Sequence, residues 1–167
     1  MVIHWNNCRN RKFKTKKKMS YPINSKVFDS RDLIEYRDEI ANDIVNLYND
    51  YMTEIDEDWD ELSDIEDVNF DEDAFVEANQ DEIEEYVAIR NFCDDISNYC
   101  SDFEYGVSII HENYFQEYCR ELVEDVGDLP RGIPAYIENN IDWSGVADDL
   151  KEDYSEAEYN GDTYYFR

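Results

Sequence analysis

The residues best able to do chemistry are carboxylates, and they are concentrated in one part of the chain. Residues 54–85 hold 17 Asp and Glu and no Lys or Arg, out of 43 acidic residues in the whole chain. Among so many carboxylates, no single pair indicates general acid–base catalysis. Their summed field repels nucleic acid and anionic membranes and attracts basic protein surfaces. The predicted partner-binding surface consists of these carboxylates acting together: Glu54, Asp56, Glu57, Asp58, Asp60, Glu61, Asp64, Glu66, Asp67, Asp71, Glu72, Asp73, Glu77, Asp81, Glu82, Glu84 and Glu85.

One histidine lies in a pattern related to that of zinc proteases. His111-Glu112 begins like the helical H-E-x-x-H motif, but Phe115 occupies the position of the second histidine ligand. His4 is the only other histidine. The sequence also has no glycine-rich phosphate loop and no plausible nucleophile paired with a base. We predict a protein that is not an enzyme and that has no cofactor.

A second partial motif resembles a calcium loop. Asp56, Asp58 and Asp60 occupy alternate positions of such a loop. However, Glu61 stands where glycine makes the sharp turn, and Asp67 stands where a bidentate Glu closes the site. The pattern therefore favours weak, nonspecific binding of divalent cations over a built metal site.

The four cysteines, Cys8, Cys93, Cys100 and Cys119, are irregularly spaced. The last three and His111 match no usual zinc spacing. Cys93 and Cys119 lie on apolar helical stripes, which is typical of buried thiols. We predict a reduced cytoplasmic protein with no metal site and no disulfide framework.

The charge divides the chain unevenly. Residues 1–18 hold seven Lys and Arg and no acid, whereas the remaining 149 residues hold 8 basic and 43 acidic residues, a charge of −35. We expect residues 1–20 to be a basic, disordered leader, with Met19 as an alternative start; a nucleic-acid arm, a localisation signal or a tether to the acidic body are other interpretations. No apolar run reaches the ~20 residues of a membrane span, and the leader lacks the apolar core of a signal peptide.

Residues 21–100 have the pattern of a long, acidic helical hairpin. A first helix is predicted from Phe28, capped by Asp29 or Ser30, because apolar residues recur at steps of three and four as far as Ile55. A helical connection and a second long helix, from about Asp73 to Tyr99, should follow. In antiparallel packing the two helices would bury their apolar stripes and leave every carboxylate in water.

Residues 101–167 hold all five glycines and should form a compact α+β unit. A helix beginning near Asn113 should end at Gly127, and Asp142 can cap a shorter helix. Asn160-Gly161 is the strongest short signal for a β-hairpin with a type I′ turn. The predicted fold class is therefore mostly α with a small C-terminal β-hairpin.

The charge density of the acidic hairpin is the physical argument for mimicry of DNA, although an acidic helical face by itself is more often only a solvated surface. On a helical path, 17 acids in 32 residues give one negative charge per ~2.8 Å, against ~3.4 Å for one DNA strand and ~1.7 Å for the duplex. Two such helices side by side would approach the density of a duplex. A protein that grips phosphates with Lys and Arg would meet a similar electrostatic target.

The last ~75 residues contain a set of short motifs: Tyr105-Gly106, Tyr114-Phe115, Tyr118, Ile141-Asp142-Trp143, Ala147 and Leu150, Asp153-Tyr154, and the segment from Gly161 to Arg167. In these residues the chain resembles the C-terminal part of ArdA-type antirestriction proteins of phages and plasmids and their short phage-encoded relatives. The opening strand-rich domain of full-length ArdA has no counterpart here.

The resemblance implies a protein encoded by a mobile element that competes for the DNA-binding groove of a type I restriction–modification complex in the bacterial cytoplasm. ArdA relatives form dimers, and Trp143, Tyr164, Tyr165 and Phe166 supply either an apolar dimer contact or part of the core. Two alternatives stay open. The first is an acidic helical phage interaction or assembly protein with a basic partner, and the second is an inhibitor of another DNA-dependent defence system.

Overall fold

The computed structural model describes residues 23, 25–127, 129 and 132–167. The predicted basic leader, residues 1–20, lies outside them. The helices are α1 (Ser30–Ile55), α2 (Asp73–Ala78), α3 (Gln80–Tyr99), α4 (Glu112–Val126), α5 (Ala135–Glu138) and α6 (Trp143–Lys151). The strands are β1 (Val27–Asp29), β2 (Ser108–His111), β3 (Ser155–Tyr159) and β4 (Asp162–Phe166). The fold is mostly helical with a small antiparallel sheet, as the sequence predicted.

The four strands form one sheet in the order β1-β2-β4-β3, with every neighbouring pair antiparallel. Successive side chains of a strand point to opposite faces, so each strand contributes to both faces of the sheet. Ile109 packs into one core cluster and Ile110 into another, and Tyr164 and Tyr165 divide in the same way. The sheet is therefore the middle layer of the fold.

Helices α1 and α3 cover one face of this sheet. Leu33 from α1 and Phe92 from α3 are buried with Phe28 from β1 and with Tyr164 and Phe166 from β4. Helices α4 and α6 cover the other face, where Ile110, Phe115, Cys119 and Ala147 form a separate buried cluster. Each fully buried aromatic or aliphatic side chain contributes roughly 1.5–3 kcal/mol, so these two clusters hold the three layers together.

Four local signals read from the sequence are confirmed. Asp29 caps α1 by accepting a hydrogen bond from the Arg31 amide at 2.9 Å. Gly127 ends α4 in the left-handed conformation, with φ of 80°. Asp142 caps α6 through the Gly145 amide at 3.1 Å. Asn160 and Gly161 both have positive φ (52° and 90°), as a type I′ hairpin requires.

Two details of the prediction were wrong, and two strands were missed. The second long helix breaks at Asn79, which separates α2 from α3. The connection before it is not helical, apart from a short 3₁₀ turn at Ile65–Asp67. The terminal hairpin is not isolated, because β1 and β2 extend it to four strands. Those two strands have only three and four residues, which is too short for a period-2 pattern to stand out.

The core crosses the predicted boundary at residue 100. The buried hydroxyl of Ser30 donates to the carbonyl of Phe103 at 2.5 Å and accepts from the Val107 amide at 2.8 Å. Gly106, with φ of 105°, lies against Arg31, and a Cβ at this position would come within 2.8 Å of the Arg31 Nε. The start of α1 is thus joined to the residues that lead into β2.

None of the helices in the described ranges combines the length and the apolar character needed to span a membrane.

Candidate partner-binding surface

The predicted surface belongs to a part of the molecule that has its own core. We call residues 40–86 the acidic arm: the second part of α1, the connection with α2, and the start of α3. Its buried residues are Ile44, Val45, Tyr48, Val68, Phe75 and Tyr86. The charged residues of the arm are therefore attached to a segment with its own hydrophobic core.

Aromatic rings hold the connection onto α1. Tyr48 makes edge-to-face contacts with Trp59 at 6.0 Å and with Phe75 at 5.0 Å between ring centroids. Tyr51 lies 5.6 Å from Phe75. Aromatic pairs of this kind add about 0.5–1.5 kcal/mol each beyond the area they bury. The rings thus join α1 to both ends of the acidic connection.

Asn49 fixes the middle of the connection. Its side chain is buried within α1, and its Nδ2 donates to the Leu62 carbonyl at 2.9 Å. Its Oδ1 accepts from the Leu62 amide at 2.8 Å and from the Trp59 indole at 3.2 Å. One amide side chain therefore satisfies both backbone groups of Leu62, much as a neighbouring strand would.

Short turns order the backbone around this point. The Asp56 carboxylate accepts from the Asp58 amide at 3.0 Å, and Asp64 accepts from the Glu66 amide at 3.0 Å. Asn69 accepts from the Asp71 amide at 3.1 Å. Such side-chain turns set the backbone direction locally, so the acidic residues are displayed in a defined arrangement.

All 17 predicted carboxylates lie on this arm. Ten lie in the connection at residues 56–72, one on α1, two on α2 and four on α3. Fifteen are exposed, and the two half-buried ones accept hydrogen bonds from tyrosines: Glu72 from Tyr51 at 3.1 Å and Glu85 from Tyr36. Burial and the bond to Glu72 raise the pKa of Tyr51. The expectation that every carboxylate faces water was therefore wrong for these two.

The estimate of one charge per ~2.8 Å of helix also fails for most of the surface. It assumed a rise of ~1.5 Å per residue, but the ten carboxylates of the connection lie on a mostly irregular backbone. Seven of the 17 keep a helical spacing on α1, α2 and α3. The charge is concentrated on the arm but does not follow two parallel helical paths.

The acidic arm contains no Lys or Arg, although Arg37 and Arg90 flank it in sequence. From Asp38 to Ile89 the chain has no Lys or Arg. In the described part of the chain, the ion pairs of Arg31, Arg37, Arg120 and Lys151 use acidic partners outside residues 54–85. The arm thus presents a strongly negative field to an approaching partner.

The three cysteines of the described residues are buried and free. Burial raises the pKa of the Cys93 thiol to about 12 and also raises that of Cys119.

Within the described residues, no group of three or more His, Cys, Asp or Glu side chains is arranged to hold a metal ion. His111 instead caps α4, with Nδ1 accepting from the Asn113 amide at 3.1 Å.

The aromatic residues considered for a dimer contact are mostly core residues. Tyr164 and Phe166 are 2% and 0% exposed, so neither is accessible to a second copy. Tyr165 packs against Phe115 with 4.5 Å between ring centroids. Trp143 lies beneath Arg120, 5.7 Å from the guanidinium carbon. Core packing therefore accounts for Tyr164, Phe166 and Tyr165. A dimer stays a prediction, but these three residues do not supply its contact.

Sequence reasoning missed the residues that fasten the arm. Asn49 stands on the apolar stripe of α1, between Val45 and Met52 at steps of four and three. A polar residue on a buried helical face needs a hydrogen-bond partner, and this was the available signal. Trp59 was identified as apolar, but nothing in the sequence showed that its indole would bond to Asn49.

No family model, no curated protein and no solved structure matches this chain.

Proposed function

We propose that the acidic arm competes with DNA for a basic groove on a DNA-binding enzyme, and that the target is a type I restriction–modification complex. In this proposal the protein is a non-enzymatic, cytoplasmic inhibitor without a cofactor or metal ion. Its partner is a protein, and it does not bind nucleic acid directly. The choice of target rests on the ArdA-like residues of the C-terminal part.

The observation that carries the proposal is that the carboxylates are exposed on a backbone whose conformation is held by specific contacts. Fifteen exposed acids lie on an arm whose connection is held by Asn49, Trp59 and the Tyr48 ring. Charges on a preorganised body attract a partner without the entropy cost of ordering a flexible tail. A groove lined with Lys and Arg would release bound counterions on contact, as it does with DNA.

A direct test is a plating assay. The protein is expressed in a host with an active type I system, and the host is challenged with unmodified phage. We expect the efficiency of plating to rise toward that of a restriction-deficient host. Full restriction at a confirmed level of folded protein would overturn the assignment to type I systems.

One observation favours a second candidate. Because ten of the 17 carboxylates lie on an irregular connection, the arm also suits a basic partner that does not bind DNA, such as a phage assembly protein. Affinity capture with wild-type protein, repeated with excess duplex DNA, separates the two. A DNA-binding enzyme is lost from the capture when its groove is filled by duplex, whereas a partner without a DNA site is retained.

A further inference from the structure

The sheet has two edge strands, β1 and β3, and β3 is the longer of them, with five residues against three. This strand is the last in the order β1-β2-β4-β3, and β4 is its only strand partner among the described residues. The two-residue loop makes Tyr159 and Asp162 a hydrogen-bonded pair, so Ala157 and Tyr164 form the next one. The backbone N–H and C=O groups of Glu156 and Glu158 therefore point away from β4, to the open edge.

Strand β3, which forms this edge, is packed against the core and ends in a defined turn. Ala157 is 7% exposed and packs into the cluster formed with α1 and α3. The ring of Tyr159 lies 5.3 Å from that of Phe92 on α3. The positive φ angles of Asn160 and Gly161 fix the turn at its end. An incoming strand would therefore meet a preformed template.

The side chains at this edge select by charge. Glu156 and Glu158 are both exposed and, two residues apart, project from the same face of the strand. In any antiparallel pairing of two copies through their outward groups, a glutamate of one copy faces a glutamate of the other. Like charges directly opposite each other destabilise a strand pair, which disfavours self-association at this edge.

We propose that the β3 edge binds an extended basic segment of a partner protein, which joins the sheet as a fifth strand. Lys or Arg at every second position would stand opposite Glu156 and Glu158, because these positions share one face. Backbone hydrogen bonds would supply affinity and the two glutamates would supply selectivity. The site is separate from the acidic arm and does not depend on its function.

The test uses the full chain and an eight-residue peptide of alternating Lys and Thr with blocked ends, followed by NMR of the protein amides. We expect saturable shifts at Glu156 and Glu158. The same peptide with N-methyl groups on the strand-facing amides should bind at least tenfold more weakly, since it keeps the charge and loses the hydrogen bonds. Equal binding of both peptides, absent binding, or shifts confined to residues 54–85 would overturn the proposal.

Two variants make the test specific. Glu158→Pro removes an N–H that points away from β4 together with one of the two glutamates, so the sheet keeps its ladder while peptide affinity should fall at least tenfold. The double variant Glu156→Lys and Glu158→Lys changes two exposed side chains and should prefer a peptide of alternating Glu and Thr. Unchanged preference in the double variant would contradict the role of the glutamates.

Other occupants of the edge have distinct signatures. A second copy would give concentration-dependent dimerisation that Glu158→Pro abolishes. An intramolecular occupant would protect the Glu156 and Glu158 amides from hydrogen exchange before any peptide is added. Either result would overturn the proposed binding of a partner segment.

Discussion

The acidic arm and the rest of the molecule treat negative charge differently. Residues 40–86 hold 19 acids and no Lys or Arg, whereas residues 87–167 hold 19 acids and five basic residues. In the second region Arg120, Lys151 and Arg167 each lie over an aromatic ring, at 5.7 Å from Trp143, 5.4 Å from Tyr165 and 4.9 Å from Tyr154.

This difference fits the role proposed for the arm. Cations on aromatic rings add stability and moderate the local charge, as expected for a structural unit. The arm contains no Lys or Arg, although Arg90, just beyond it, lies 6.0 Å from the Tyr86 ring. Buried aromatics and Asn49 hold its like charges close together. Such repulsion opposes folding, so we infer that the arm's charge is kept for binding.

The largest expected effect comes from neutralising the arm. A variant with six of its exposed acids changed to Asn or Gln should lose most of its inhibition of restriction, measured by plating efficiency. Its thermal stability should rise, because removing exposed like charges relieves their mutual repulsion in the folded state. The six positions, chosen because their side chains make no hydrogen bond in the structure, are Glu57, Asp58, Asp60, Glu61, Glu66 and Asp67.

A matched control removes the same charge elsewhere. Its six exposed acids, Asp95, Glu117, Asp125, Asp149, Glu152 and Asp153, lie outside the arm. This variant should keep nearly full inhibition. Equal loss in both variants would mean that net charge matters and the arm does not.

The next effect distinguishes local from global unfolding. Ser30→Ala leaves the Val107 amide and the Phe103 carbonyl buried without this partner, which should cost roughly 2–3 kcal/mol. Asn49→Ala should cost less, about 1–2 kcal/mol, because Leu62 can turn to water when the connection detaches. Hydrogen exchange should then rise throughout the molecule in the first variant, but mainly at residues 56–68 in the second. Uniform exchange in both would contradict a separately fastened arm.

Added salt should stabilise the protein through the arm. Raising the ionic strength from ~0.01 M to ~0.15 M shortens the Debye length from ~30 Å to ~8 Å, which screens repulsion between exposed carboxylates. We expect Tm to rise by about 2–4 °C, corresponding to ~1 kcal/mol in a chain of this size. The arm-neutralised variant should respond less than the control variant, in scans by circular dichroism.

The last effect concerns two buried groups of the structural unit, the Cys93 thiol and the Tyr164 hydroxyl. Burial raises the pKa of Cys93 from 9.0 to about 12 and that of Tyr164 from 10.0 to about 12. The folded state thus holds these protons more tightly than the unfolded state, so the resulting stability is present below pH 9 and is lost as the pH rises toward 12. Chemical unfolding at pH 7, 9 and 10.5 should show this decline. A thiol reagent should react with Cys93 only at the rate of unfolding.

The sequence predicted the parts of the fold that depend on local signals. The caps at Asp29 and Asp142, the end of α4 at Gly127 and the Asn160-Gly161 hairpin each follow from one or two residues and were confirmed. The break at Asn79 was missed because the apolar spacing continues from Phe75 to Ile83 across it. Strands β1 and β2 were missed because their pairing is set by contacts between residues 27–29 and 108–110, which are distant in sequence.

Composition located the candidate surface, but it did not predict the backbone conformation of residues 56–72. The count of carboxylates from Glu54 to Glu85 placed the charge correctly, whereas the helical rise assumed for it did not apply to residues 56–72. The apolar residues Trp59 and Leu62 fit a helix period equally well. Only the contacts of Asn49 with both residues explain why this stretch lies across α1 without being helical.

The central claim is that the fastened carboxylates of the arm displace DNA from a basic groove. The most direct measurement is the fluorescence anisotropy of a labelled duplex bound to a purified type I restriction enzyme, titrated with this protein at several salt concentrations. We predict complete displacement in dilute buffer, a steep loss of competition as salt rises, and no displacement by the arm-neutralised variant. A duplex that stays bound at every protein concentration in dilute buffer, or that the neutralised variant displaces equally well, would contradict the account.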